Sequence, residues 1–349
     1  MFRKNKGAAM AMVICIFAVL GILVSAFLFV GSSQQRFSIQ EEKKTKAYYI
    51  AHSGADAAAQ ALITNAGSIR TTLNTVNPST ITGSAGGGSF SATVTKNLDK
   101  TITVVSSGTY STSQRSVTLK LAPLTATEIF KRVVYSNTPG TLDLTGVDVT
   151  GDVEARGSIS MDQSYYDAGY HAYPDSGWDP GHVNFDMSAC TQDYHLSSGA
   201  IKGTKYYNKI DENGGPLVFD TTAGDVYVYV NIFNVKCNIN ILGNNCVYLH
   251  IGDSASLQTP QDYNESFKRF VIYLNDTATL SMQSNGKFNG FIFGPYATVD
   301  LQSGNSILNG CIVANIINAS NNVSINFQPI SDDVDMTEVL AGYKRVSWE

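Results

Sequence analysis

At 349 residues with 43% hydrophobic content, the chain is long enough to bury at least one sizeable core and is not a disordered protein. The formal net charge is -5, but residues 1–46 hold seven of the 24 Lys and Arg and only two of the 29 acidic residues, which leaves the remainder about ten charges negative. A surface of that sign repels phosphates and excludes nucleic acid as the partner.

The first predicted element is an apolar run from Ala8 to Gly31, without an ionisable group between Lys6 and Arg36 except the Cys15 thiol. As a helix it spans about 36 Å, enough to cross a hydrocarbon core of roughly 30 Å. Arg3, Lys4 and Lys6 precede it, which predicts a single-pass membrane protein with its N-terminus in the cytoplasm and its C-terminus outside. The run is too long for the apolar core of a removable signal peptide. The helical pattern continues beyond it: Ala47, Ala51, Gly54, Ala55, Ala58 and Leu62 share one face and predict a helix to about residue 63. A stripe of small residues packs either on this protein's own sheet or on a related helix, because small side chains let backbones approach closely.

Residues 68–88 are rich in Ser, Thr, Gly and Asn and read as a loop. Three alternating stretches up to residue 123 read as an antiparallel meander, which completes a small β domain over 64–123. From about Thr125 short apolar stretches alternate with Gly and Asn. IGDSASL (251–257) aligns with LNDTATL (274–280), YATVDL (296–301) follows with the same beat, and FNGFI (288–292) matches LNGCI (308–312). Periods near 20 predict a parallel β-helix over 124–349, with a β-sandwich as the competing fold. Two excursions, 162–215 and 258–269, are expected to project from the coils. The expected fold class is therefore α+β followed by all-β: a long helix on a small antiparallel sheet, then a solenoid.

The richest polar cluster lies in the first excursion. Asp167, His171, Asp175, Asp179, His182 and Asp186 are of types that ligate divalent metals, but they follow no calcium-loop or helical His pattern, and no metal and no cofactor are expected. The bland reading is a solvated loop whose aromatics pack on the solenoid. The sharper one is a surface or ligand loop, in which Tyr165, Tyr166, Tyr170, Tyr173 and Trp178 offer flat faces beside hydrogen-bonding carboxylates such as Asp175 and Asp179. Asp253 and Asp276 fall at equivalent repeat positions, as a glycan-cleaving carboxylate pair would, but each sits in a turn that favours Asp for its own backbone hydrogen bonds. Cys237 and Cys246 flank a Gly243-Asn244 turn, and both a disulfide and a pair of buried thiols are open.

A basic leader ending in Gly7 before a long apolar helix resembles a type IV prepilin, which implies cleavage between Gly7 and Ala8. AYYIAHSGADAAAQAL (47–62) resembles the signature of PilX-type minor pilins, GTYSTSQRSVTLKL (108–121) the closing strands of their β domain, and the solenoid segments with the ending AGYKRVSWE a β-helical domain fused behind that module in bacteria. The sequence departs from the pattern at Met12, where such pilins carry a glutamate, at Ala8 in place of Phe, and at His52 in place of Glu. The resemblance implies a non-enzymatic minor pilin or pseudopilin in a bacterial cytoplasmic membrane, displayed on the surface after pilus assembly. Its implied partners are other pilin subunits, the assembly machinery, membrane lipid and a surface glycan or protein. Met12 removes the charge that would meet the amine of the next subunit and implies a tip or priming position. A membrane-anchored polysaccharide-acting enzyme and a surface-tethered binding protein unrelated to pili are the alternatives.

Overall fold

The computed structural model describes residues 6–64, 78–99, 101–178, 180–195, 199–258, 269–283, 286–302, 304–331, 334–336 and 343–348. Residues 1–5 of the basic leader, the helix stop expected at 65–67, Asp179 and nearly all of the second excursion lie outside them.

One helix, α1 (Lys6–Thr64), runs for 59 residues and includes Gly7 and Ala8. Its length is about 88 Å. No proline interrupts it, and Gly21 and Gly31 face open space. The apolar half is uncovered: Phe17, Ile22, Phe27, Leu28 and Phe29 are all more than 65% exposed. It is long and apolar enough to cross a membrane.

The other half is rooted in a sheet built from β1 (Ser79–Ala85), β2 (Gly88–Lys96), β3 (Ile102–Tyr110) and β4 (Ser113–Pro123), joined in antiparallel order. Ala47, Ala51, Ala55, Ala58 and Leu62 are buried, and all but Ala47 join one apolar cluster with Val94, Val104 and Leu119 of the sheet. Gly54 lies over the Phe90 ring, where a Cβ would come within 2.5 Å. The small-residue stripe is thus taken up by the protein's own strands. The face of α1 left for other rods carries Tyr48, Tyr49, Ser53, Ala57 and Gln60.

Two expectations are corrected here. β1 lies within the stretch read as a loop; its short Ser, Thr and Gly side chains carry little strand signal, and its register comes from pairing with β2. The C-terminal segment expected in the solenoid instead forms β21 (Tyr343–Trp348), antiparallel to β4. Arg345 reaches Asp56 of α1 at 2.9 Å, and Trp348 stacks on His52 at 4.0 Å. Lys344 pairs with Glu128 of the short helix Ala126–Ile129 that leads into the solenoid.

Between β4 and β21 the chain winds the parallel solenoid. Its strands are β5 (Val134–Ser136), β6 (Leu142–Asp143), β7 (Asp148–Thr150), β8 (Val153–Ala155), β9 (Ile159–Ser160), β10 (Ala172–Tyr173), β11 (Thr204–Glu212), β12 (Leu217–Asp220), β13 (Val226–Val235), β14 (Ile239–Leu242), β15 (Val247–Leu257), β16 (Phe270–Leu274), β17 (Thr279–Met282), β18 (Lys287–Leu301), β19 (Ile307–Ala319) and β20 (Ser324–Phe327). The stacking order of the main wall is β10-β8-β5-β19-β18-β16-β15-β13-β11. Coils therefore do not follow the chain. The first ones stack outward from β19, and the chain then returns to the far end and winds back toward them. Inward residues such as Val228, Leu249, Ile272 and Ile292 form one continuous core, while outward Tyr248, Val271, Phe291 and Val313 are covered by the connectors through Phe130, Val183 and Met336.

The predicted repeat is physical. Asn289 pairs with Asn309 and Gly290 with Gly310, at the expected spacing. The asparagines form a ladder: Asn326 Nδ2 donates to Asn309 Oδ1 at 2.9 Å, and Asn309 Nδ2 to Asn289 Oδ1 at 2.6 Å. Asn309→Ala is expected to cost about 1.5 kcal/mol, read as a lower urea midpoint, because it leaves the buried Asn289 amide and the half-buried Asn326 amide each short of a partner. The alignment fails in one place. Ile251 pairs with Leu274 as expected, but Ser254 then pairs with Thr279, so Asp253 and Asp276 are not equivalent.

Candidate functional site

The first excursion does not project. After a one-turn helix (Gln163–Asp167) that covers the β7 corner and the short β10, the described residues 174–178, 180–195 and 199–203 lie along the outside of the solenoid as a strap touching one coil after another. Trp178 packs edge-on against Tyr135 of β5 at 4.4 Å and accepts that tyrosine's hydroxyl proton through its carbonyl. His182 stacks on Tyr296 of β18 at 3.9 Å, with Nδ1 2.7 Å from Asp276 Oδ2. The Val183 N–H donates to Asp276 Oδ1 at 2.8 Å, and Asn184 Nδ2 to Asp276 Oδ2 at 2.9 Å. Phe185 lies edge-on to His250 of β15 at 4.3 Å. The Asn208 N–H donates to the Gln192 carbonyl and the Tyr194 N–H to that of Lys209, which closes the β11 end.

Asp276 thus binds the strap, rather than the backbone of its own turn. Asp276→Ala is expected to lower stability by about 2 kcal/mol and to open residues 182–195 to limited proteolysis, since three donors lose their acceptor together.

A second polar knot pins the start of the strap. Arg132 holds Asp152 at 2.9 Å and Glu154 at 3.3 Å, and its guanidinium lies 4.1 Å from the centre of the Tyr173 ring. Ser176 donates to Glu154 at 2.5 Å, and the His171 N–H donates to Asp152 at 3.0 Å. The Asp152 and Glu154 carboxylates both face Arg132, a cross-link between coils.

The predicted loop residues separate accordingly. Trp178 and His182 belong to the strap and Tyr173 to the Arg132 knot. Asp175 is exposed with positive φ, and Tyr165, Tyr166 and His171 lie at the β10 end. Among the described residues no three His, Cys, Asp or Glu side chains converge as a metal would need. Cys237 and Cys246 are both free thiols; the first belongs to the interior core and the second to the outer cluster, so the bridge is not made.

A family model described as a domain of unknown function (DUF7305) matches residues 179–333. The match spans less than half of the chain. It takes in most of the strap and the coils from β11 to β20, and leaves out β5 to β10. No curated protein matches. Among solved structures, the chain is similar to the competence-associated pilin ComZ from Thermus thermophilus, at 10% identity and a TM-score of 0.34 over 88% of this chain and 97% of that one. It is also similar to the ice-binding protein LeIBP from an Arctic yeast, at 13% identity and 0.32 over 58% and 93%. A third is an ice-binding protein from the Antarctic ascomycete Antarctomyces psychrotrophicus, at 10% identity and 0.32 over 57% and 96%. Likenesses this distant carry no argument about function.

Beside the β10 end lies a cavity of about 440 Å³ lined by β7, Asp162, Ser164, Tyr165 and Tyr170. The Tyr165 hydroxyl donates to the His171 carbonyl at 2.7 Å, and burial pushes its pKa well above the usual tyrosine range. Sequence reasoning found these tyrosines but not the cavity, whose floor is β7, distant from them in pattern and close only through the fold.

Proposed function

We propose that the chain is a non-enzymatic subunit of a type IV pilus-like filament, a minor pilin or pseudopilin that carries a solenoid outside the cell. The observation that supports this reading best is α1 itself. Its apolar half is of bilayer length and exposed among the described residues, and it continues without a break into the half that roots the head. In a membrane that half is solvated by lipid tails; on extraction it needs other helices, which replace lipid contacts by packing. The small-residue stripe is spent on the protein's own sheet, so contacts between subunits fall to the apolar half and to the opposite face with Tyr48 and Tyr49. Arg3, Lys4 and Lys6 favour a cytoplasmic N-terminus. Met12, which offers no charge to a neighbouring amine inside the bundle, suits a tip or priming place.

Mass spectrometry of the membrane-extracted protein tests the reading. Loss of residues 1–7 with N-methylation of Ala8 is the expected result. An intact Met1 in cells that assemble filaments reduces the protein to an ordinary membrane-anchored surface protein.

A further inference from the structure

The cavity beside β7 is floored by an unpaired strand edge. Among the described residues β7 pairs on one side only, with β20. The Asp148 N–H donates to Val323, so the backbone groups of Asp148 and Thr150 point toward β20. In a parallel ladder the residue between points the other way, which aims the Val149 N–H and C=O at the cavity. No hydrogen bond engages them among the described residues.

Around this pair stand Asp148, exposed and without an ion pair among the described residues, and Asp162, whose carboxylate accepts from the Gly146 N–H at 2.7 Å. Tyr170, half exposed, and the Ser164 hydroxyl complete the lining. The volume is in the range of small-ligand sites. An aromatic side chain, carboxylates that accept from hydroxyls and one backbone donor-acceptor pair are together complementary to a pyranose, which presents an apolar face and an edge of vicinal hydroxyls. A peptide strand fits less well, because a three-residue edge with a single outward pair offers it one rung. The two carboxylates disfavour an acidic ligand and leave neutral and amino sugars.

We propose that the pocket formed by the β7 edge, Asp148, Asp162 and Tyr170 binds a neutral or amino-sugar residue of a surface glycan. The proposal goes beyond the filament reading and does not depend on it, since an unprocessed anchored protein would carry the same pocket.

The test is saturation-transfer NMR on the detergent-solubilised full chain with methyl glucoside, methyl galactoside, methyl mannoside, N-acetylglucosamine, glucosamine and glucuronate, and with the tetrapeptide Val-Thr-Val-Lys. The expected result is saturable binding of at least one neutral or amino sugar and none of glucuronate. Asp148→Ala, an exposed position that leaves the fold intact, should weaken that binding about tenfold, the loss of one charged hydrogen bond. Tyr170→Ala should abolish it. Binding of no sugar, binding of the peptide alone, equal binding of glucuronate, or affinity untouched by Asp148→Ala would each overturn the assignment.

Discussion

Gly108→Val is expected to lower the stability of the helix-and-sheet head by about 3 kcal/mol, because a Cβ at Gly108 would lie 2.3 Å from the Ala51 backbone nitrogen and 2.4 Å from the Ala47 carbonyl oxygen. Those atoms belong to α1, which cannot give way locally without losing its own hydrogen bonds; the helix must lift from β3 along its length. The two tryptophans make the result readable. Trp348 stacks on His52 in the head and Trp178 packs on Tyr135 in the solenoid. In a Trp178→Phe background, urea unfolding followed by fluorescence reports the head alone. An unchanged midpoint would mean that the close approach of helix and strand is not what holds the head together.

Gly310→Ala is the corresponding experiment in the solenoid, with an expected loss of about 4 kcal/mol. Gly310 has a φ of +152, and an added Cβ would sit 1.7 Å from the carbonyl oxygen of Gly290 in the next coil. Backbone strain of about 1–3 kcal/mol and overpacking of similar size act together. The adjacent Asn309 would be pulled out of its ladder by the same displacement. Trp178 fluorescence in a Trp348→Phe background should show the lowered transition. A variant as stable as the parent would detach the repeated Asn-Gly from any role in closing the coils.

What the sequence disclosed was periodic and local. The rod was legible because Ala8 to Leu62 keeps helical composition and spacing throughout, and the solenoid because FNGFI and LNGCI repeat with their glycines in register. What it hid depends on pairings between distant residues. Val134 of β5 stacks on Ile312 of β19, an adjacency that no pattern around either residue encodes. The strap reads as a projecting loop because its irregular Pro and Gly content is that of a surface segment; its hold on the solenoid depends on Asp276 and Tyr296, neighbours of the strap only once the coils are stacked. The pairing of β21 with β4 is hidden for a similar reason, since six residues following a solenoid look like one more short strand. In the candidate site, Tyr165 and Tyr170 were visible as aromatics, whereas the free edge of β7 is a property of the strand order.

The arrangement of β4 and β21 has a mechanical and an evolutionary side. Pro123, where the chain leaves the head, is the paired neighbour of Tyr343, where it returns. Everything in between is inserted into what would otherwise be an ordinary hairpin, so exchanging it for another payload, or for a short turn, leaves the stalk's hydrogen-bonded edge unaltered. A drag force on the payload also reaches the stalk through two strands pulled side by side from the same end, so it loads the pair against β3 and α1 rather than prying the two strands from each other.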